Sequence, residues 1–250
     1  MAGLDLLDAG LPGVVGGFTT RGGGVSAPPW ESLNLASHVG DELGRVLANA
    51  DLLARHLGAE GINLPHQMHG AEVLIVDSST SGLRTHSKLG GVDALVTARP
   101  GIAIGVLVAD CTPVLIADPV AGIVAAAHAG RRGLGAGVLQ ATLTEMVDIG
   151  AEVGRMRAVV GPAICGRCYE VPESMRSEVD ALVPGTATVT RAGTPGLDLP
   201  AGAMAVLRAA GVAEVRSIGI CTAEDERFYS YRRDGVTGRF AGVVMLATDD

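Results

Sequence analysis

The sequence predicts a mixed α/β fold, α+β in its interspersed elements, built on mixed β-sheet. Three observations predict it. Helical and strand periodicities alternate along all 250 residues, which argues against an all-α or all-β chain. The apolar runs 102–108, 114–117 and 123–127 are too close together for crossover helices, so they pair antiparallel or lie in different sheets. Apolar residues make up 48% and charged residues 18%, enough to bury a sizeable core and to exclude disorder.

In chain order, residues 14–20 read as a short strand, and Arg21 to Gly24 with Pro28 and Pro29 as a loop with breakers. Residues 41–57 read as a helix. Its apolar positions Leu43, Val46, Leu47, Ala50, Leu53, Ala54 and Leu57 recur at threes and fours, with Asp41 placed to cap it and Gly58 to end it. Residues 73–76, 94–97, 102–108, 114–117 and 123–127 are short β-branched or small apolar runs between turn residues, and read as buried strands. Residues 134–149 carry one apolar stripe and read as a second helix ending at Gly150. Then follow a strand over 157–160, a helix over 172–182 opened by Pro, a helix over 200–210 ended by Gly211, and a last strand over 239–246. The Gly, Thr and Pro-rich stretch 185–196 reads as a surface loop. With no repeat and no linker, residues 1–250 are expected to form a single domain.

Nineteen Lys and Arg against 27 Asp and Glu leave a formal net charge of −8, which repels phosphate backbones and anionic lipid over most of the surface. Nucleic acid and membrane partners are therefore disfavoured. Aromatics are only 3% while Gly reaches 36, so function is expected in turns rather than on stacking platforms. The start, MAGLDLLDAG, lacks the basic and apolar regions of a signal peptide, and no stretch is apolar enough to span a membrane. A reducing, cytoplasmic setting is expected for the four cysteines Cys111, Cys165, Cys168 and Cys221.

Chemistry concentrates where strands stop. His69 in Pro65-His66-Gln67-Met68-His69-Gly70, Cys111 in Ala109-Asp110-Cys111-Thr112-Pro113, and His128 in Ala127-His128-Ala129-Gly130-Arg131-Arg132-Gly133 all border expected strands. Two imidazoles and a thiolate suit zinc with its fourth position open. No short-range spacing fixes this set, so two other readings stand beside it. In one, Cys111 is a nucleophile activated by His128, with Asp110 or another carboxylate orienting the ring; in the other, the Cys and His residues simply pack. The turn Gly130 to Gly137 offers N–H groups and arginines to an anion, or glycines to close helix packing. Near the C-terminus, Arg227 to Arg239 gathers arginines with Phe228, Tyr229 and Tyr231, which reads as a ligand site or as an exposed hairpin turning at Asp234-Gly235. Cys165-Gly166-Arg167-Cys168 has no second CxxC and reads as packing. His38, His56, His66 and His86 read as structural or solvent-facing.

Together these motifs, with Leu33-Asn34-Leu35, Val92 to Thr97, Gly161-Pro162, Tyr169-Glu170-Val171, Cys221-Thr222 and Tyr229 to Arg239, resemble the laccase-domain family. That family is labelled multicopper polyphenol oxidase-like and is also called purine nucleoside phosphorylase or peptidoglycan editing factor. The resemblance spans nearly the whole chain. It implies a four-layer sandwich of two mixed β-sheets with helices on the outer faces. It implies zinc on His69, Cys111 and His128, phosphorolysis of adenosine, inosine and methylthioadenosine, and deamination of adenosine. On this reading His69, Cys111, His128, Asp110 and Arg132 are the catalytic set. Asn34, Asp93, Arg131, Arg232 and Arg233 are the substrate-binding set. Arg132 and Arg233 are assigned to neutralising phosphate, and Asp110 and Asp93 to orienting a ligand imidazole or moving a proton. One departure is visible: Arg131 stands where the family motif carries Trp, which removes a ring available for stacking.

The expected partners are purine nucleosides and inorganic phosphate, and the chain is read as a monomer or weak homo-oligomer. Copper is less suited than zinc, because six histidines are too few for a blue-copper site plus further copper ligation. Three alternatives remain. One is a peptidoglycan-precursor editing amidase using Cys111 or zinc-activated water. The others are a copper-dependent polyphenol oxidase and a non-catalytic nucleoside-binding module. The H-x-E and P-C-x-x-C motifs of zinc base deaminases are absent.

Overall fold

A computed structural model describes residues 4–77 and 84–248, with 84–90 described by backbone alone. Along the chain run β1 (Leu6–Asp8), β2 (Val14–Thr19), α1 (Leu43–Leu57), β3 (Ile62–His66), β4 (Val73–Ile75), β5 (Arg84–Gly91), β6 (Ala94–Thr97) and β7 (Ala103–Val108). They are followed by β8 (Thr112–Asp118), β9 (Ile123–Ala129), α2 (Arg131–Gly135), α3 (Val138–Asp148), β10 (Arg157–Val160) and α4 (Glu173–Leu182). The chain closes with β11 (Ala187–Val189), β12 (Pro195–Leu197), α5 (Leu199–Ala209), β13 (Glu214–Ser217), α6 (Tyr231–Asp234) and β14 (Phe240–Leu246).

The strands form two six-stranded sheets, ordered β1-β2-β14-β7-β3-β5 and β13-β10-β8-β9-β6-β4, with β11 and β12 as a separate hairpin. Both sheets are mixed. In the first, β3 runs parallel to β7 and β5 while β14 is antiparallel to β2 and β7. In the second, β10 is parallel to β13 and antiparallel to β8. The short connections resolve in both of the ways expected: β8 and β9 pair antiparallel, whereas β7 lies in the other sheet.

Strand periodicity stacks these sheets into layers. Successive side chains point to opposite faces, and here both faces are covered. Ile104 and Val106 of β7, Val244 of β14, Leu115 and Ala117 of β8 and Val124 and Ala126 of β9 share one buried cluster between the sheets. The alternate residues Ala103, Leu107, Ala241 and Val243 pack with Ala50, Leu53 and Leu57 of α1. On the far side, Val114, Ile116, Ala125 and Ala127 pack with Leu139, Leu143 and Met146 of α3 and Ala203 and Leu207 of α5. The result is the four-layer sandwich with helices outside.

Several expectations need correction. Asp41 does not cap α1: the N-cap is Glu42, and Asp41 instead accepts from Ser26 Oγ and Asn34 Nδ2. The single helix expected over 134–149 is two, because Gly137 adopts φ 89°, a left-handed conformation that interrupts the ladder between α2 and α3. The loop expected over 185–196 contains the β11–β12 hairpin. Strand β3 went unread because Asn63 and Pro65 dilute its pattern; Asn63 Nδ2 donates to Ala103 O, and the register shifts at Pro65–His66.

Candidate metal centre

His69, Cys111 and His128 converge where the chain passes between the sheets. His69 lies on the link from β3 in the first sheet to β4 in the second, and Cys111 on the link from β7 to β8. Pairing of Pro113 with His128 across β8 and β9 then sets Cys111 beside His128. The ligating atoms of the three side chains all lie within 4.8 Å of one another. His69 Nε2 is 3.8 Å from Cys111 Sγ, and the two imidazoles meet edge-on at 4.7 Å between centroids. A Cβ added at Gly130 would sit 3.0 Å from His69 Cδ2 and 3.1 Å from Cys111 Sγ, so a side chain here would crowd two of the three donors. The donor set and its spacing fit a thiophilic divalent cation.

A buried carboxylate organises the set. Asp93 accepts from the backbone N–H groups of Met68, His69 and Gly70 and, at 2.8 Å, from His128 Nδ1. The three N–H bonds hold His69 at φ 58°, a left-handed conformation that a non-glycine residue adopts at a cost of order 1–3 kcal/mol. The bond to Nδ1 leaves Nε2 of His128 as its free ligating nitrogen. Burial alone would raise the Asp93 carboxyl, but the bonds from His128 and from the 68–70 backbone hold it below its usual value. Burial would likewise raise the Cys111 thiol, yet the charge and hydrogen bonds of His128 and His69 draw it down to about 6. Against its own desolvation, His128 is lifted to about 9 by Cys111 and Asp93. Both shifts move the pair toward a thiolate beside an imidazolium.

The triad forms the floor of a cavity of about 420 Å³, within the range of small-molecule sites. Leu107, Val108, Ile164 and Leu199 give it an apolar wall, and Tyr169, Tyr231, Gln67 and His38 add polar edges. Three arginines line it: Arg131, Arg232 and Arg239. Arg232 lies 5.1 Å over the Tyr169 ring and donates to Glu170 O. Arg239 donates to Thr237 O and Gly238 O, and burial lowers its pKa.

Of the residues expected to act here, the cavity gathers His69, Cys111, His128, Asp110, Arg131 and Arg232. Asp110, at φ 90°, touches neither imidazole; it accepts from Thr222 Oγ1 and from the Arg232 N–H, tying the 222–232 segment to the triad. Arg132 is exposed and outside the lining. The Arg233 guanidinium is directed to the carbonyls of Thr222, Asp225 and Phe228 and to Asp234, so it secures its own loop. Asn34 is fully buried and bonded to Ala36, Asp41 and the Arg239 N–H. Asp93 acts through His128 and the 68–70 backbone instead of facing the cavity. The expected Asp234-Gly235 hairpin is the short helix α6, and Phe228 and Tyr229 are core residues, leaving Tyr231 as the one ring of that cluster on the cavity. His38 lines the cavity, against its reading as structural or solvent-facing, whereas the side chain of His86 lies outside the described residues. Arg239 and Tyr169 are legible as motif members but not as cavity-lining residues.

Residues 15–247 match the family model described as multi-copper polyphenol oxidoreductase laccase. A relative from Streptomyces griseus named purine nucleoside phosphorylase ORF3 is 51% identical over 231 residues, 92% of this chain and 93% of that one. A Mycobacterium tuberculosis purine nucleoside phosphorylase, Rv2149c, is 46% identical over 91% of this chain and 90% of its own. Among solved structures, YlmD from Geobacillus stearothermophilus superposes with a TM-score of 0.87 at 32% identity, covering 99% of this chain and 97% of that one. A Neisseria meningitidis protein of the DUF152 family gives 0.87 at 34% identity over 99% and 100%. No helix among the described residues is long and apolar enough to cross a membrane.

Proposed function

The chain belongs to the multi-copper polyphenol oxidoreductase laccase family, and from that premise we propose that it is a zinc-dependent purine nucleoside phosphorylase that also deaminates adenosine. Adenosine, inosine and methylthioadenosine are its nucleosides and inorganic phosphate its second substrate. The observation that carries this reading is a juxtaposition: three arginines, Arg131, Arg232 and Arg239, line one cavity with the His69, Cys111 and His128 donor set. In a chain of net charge −8, a local cluster of arginines selects an anion against the general field.

His69, Cys111 and His128 would hold the metal, and zinc held there would supply Lewis-acid chemistry. Everything else falls to the chain. Arg131 and Arg232 hold phosphate in the cavity, with Arg232 braced on Tyr169 and Glu170 O. The apolar wall of Leu107, Val108, Ile164 and Leu199 receives the base and ribose and excludes bulk water. In phosphorolysis a phosphate oxygen bonds C1′ of the ribose, the bond from C1′ to the base breaks, and the base leaves with the electron pair and takes up a proton. The arginines offset the charge of the attacking group. Asp93 keeps His128 in one tautomer throughout. Arg131, where the related motif has Trp, retains a planar group able to stack while adding charge.

The test is chromatography of products from zinc-loaded protein and adenosine, with and without phosphate, beside the Cys111→Ala variant. Adenine and ribose 1-phosphate formed only with phosphate support phosphorolysis, and inosine in either condition supports deamination. Absence of both products would overturn the proposal in favour of the peptidoglycan-precursor editing or the non-catalytic nucleoside-binding reading.

A further inference from the structure

A second ligand set lies behind the cavity wall. Cys165-x-x-Cys168 has no partner CxxC in the sequence, but its partner in space is Cys221-x-x-Glu224, a pair with the same two-residue spacing. The three Sγ atoms and a Glu224 carboxylate oxygen all lie within 4.8 Å of one another. A tetrahedral zinc site with Zn–S of about 2.3 Å needs sulfur atoms about 3.8 Å apart, so a small contraction closes it.

Backbone geometry presents the four donors together. The segments after β10 and after β13 run side by side, joined by the parallel bridge Ala163–Cys221. Each then folds into a tight turn on its first cysteine. Cys168 N–H and Tyr169 N–H donate to Cys165 O, and Glu224 N–H and Asp225 N–H donate to Cys221 O. Between the turns, Cys165 N–H donates to Cys221 Sγ at 3.3 Å, and Cys168 Sγ–H donates to Glu224 Oε1 at 3.2 Å. Arg191 pairs with Glu224 and offsets the excess negative charge that three thiolates and a carboxylate would bring. All four cysteines of the chain are free thiols.

We propose that Cys165, Cys168, Cys221 and Glu224 form a second, four-ligand site for zinc or a like thiophilic divalent cation, separate from the His69–Cys111–His128 centre. Binding releases the thiol protons to solvent and leaves the metal saturated, a structural site rather than an open one. Its position gives it a task. Ile164 N–H donates to Asp110 O and Thr222 Oγ1 to Asp110 Oδ1, so the two turns it clasps are the ones that fasten Asp110 to the cavity wall. This inference does not rest on the nucleoside reading.

Metal content of the full chain, prepared with zinc under reducing conditions and dialysed against a weak chelator, tests it. The expected result is two equivalents for the wild type, one for Cys111→Ala and none for Cys111→Ala combined with Cys221→Ser. With cobalt in place of zinc, Cys111→Ala should still show a thiolate-to-cobalt charge-transfer band, because only the second set then supplies sulfur. In the Cys111→Ala background, Glu224→Gln, which spares all three thiols of the second set, should weaken cobalt affinity at least tenfold while keeping that band. A Cys111→Ala chain with wild-type circular dichroism but neither zinc nor the cobalt band would overturn the proposal. So would a Cys165–Cys168 or Cys165–Cys221 disulfide whose reduction restores no metal uptake.

Discussion

Asp93 Oδ1 stands 2.8 Å from His128 Nδ1 with both side chains buried, and the same carboxylate collects the three N–H groups that bend the chain at His69. One residue therefore fixes two of the three metal donors, the tautomer of one and the backbone conformation of the other. Asp93→Asn keeps the volume but removes the charge and turns a donor group toward donors. The expected outcome is a loss of about 10- to 100-fold in zinc affinity and of about 3 kcal/mol in stability. Competition with a chromophoric chelator and urea unfolding measure the two. The lowered carboxyl stabilises the fold above its unfolded value, and that contribution disappears as pH falls through the folded one, so the variant should decline less on the acid side than the wild type, by the share Asp93 contributes.

Removal of the metal should expose a reactive cysteine. With its thiol drawn down to about 6, Cys111 is a thiolate at neutral pH, so chelator-treated protein should be alkylated by iodoacetamide at Cys111 faster than a free thiol permits. The rate should fall as pH drops through about 6, where the thiolate is protonated. Zinc added before the reagent should protect the residue, as read by peptide mass spectrometry. Labelling that ignores both pH and zinc would contradict the geometry described.

Much of this was legible in the sequence for local reasons. Strands such as 94–97 and 157–160 are short runs of mostly small or β-branched side chains, so they appear where their pattern places them. The metal donors were legible as residue types at strand ends, but their convergence depends on two chain crossings between sheets that no local pattern encodes. Arg233 shows the limit from the other side: a guanidinium in an arginine-rich motif looks like an anion ligand until its carbonyl partners are seen. The Cys165 cluster was missed because its second half ends in Glu224, and a CxxE pair signals nothing until the fold sets it against a CxxC.

Asp118 anchors a polar network away from the cavity. Its carboxylate, fully buried at the end of β8, accepts from Val120, Ala121 and Glu152 N–H groups and pairs with Arg155. Asp118→Ala should cost about 3 kcal/mol, since it strands several donors at once, while metal content and KM stay at wild-type values. Because its folded pKa is depressed, its contribution is complete above the ordinary carboxylate range and is lost as pH falls through the lowered value. Denaturant midpoints across the acid range give the comparison.

Arg131 and Arg233 separate binding from support. The Arg131 side chain faces the cavity, and Arg131→Ala should raise KM for phosphate about 10- to 100-fold, the worth of one charge-assisted contact, with the melting temperature unchanged. Arg233→Ala should do the reverse first. It leaves the carbonyls of Thr222 and Phe228 without a donor, so the melting temperature should fall, and any rise in KM should shrink as temperature is lowered and the loop re-forms. Steady-state kinetics against phosphate at two temperatures, paired with thermal melts, distinguishes the two roles. Equal KM effects at both temperatures for Arg233→Ala would place its guanidinium on substrate after all.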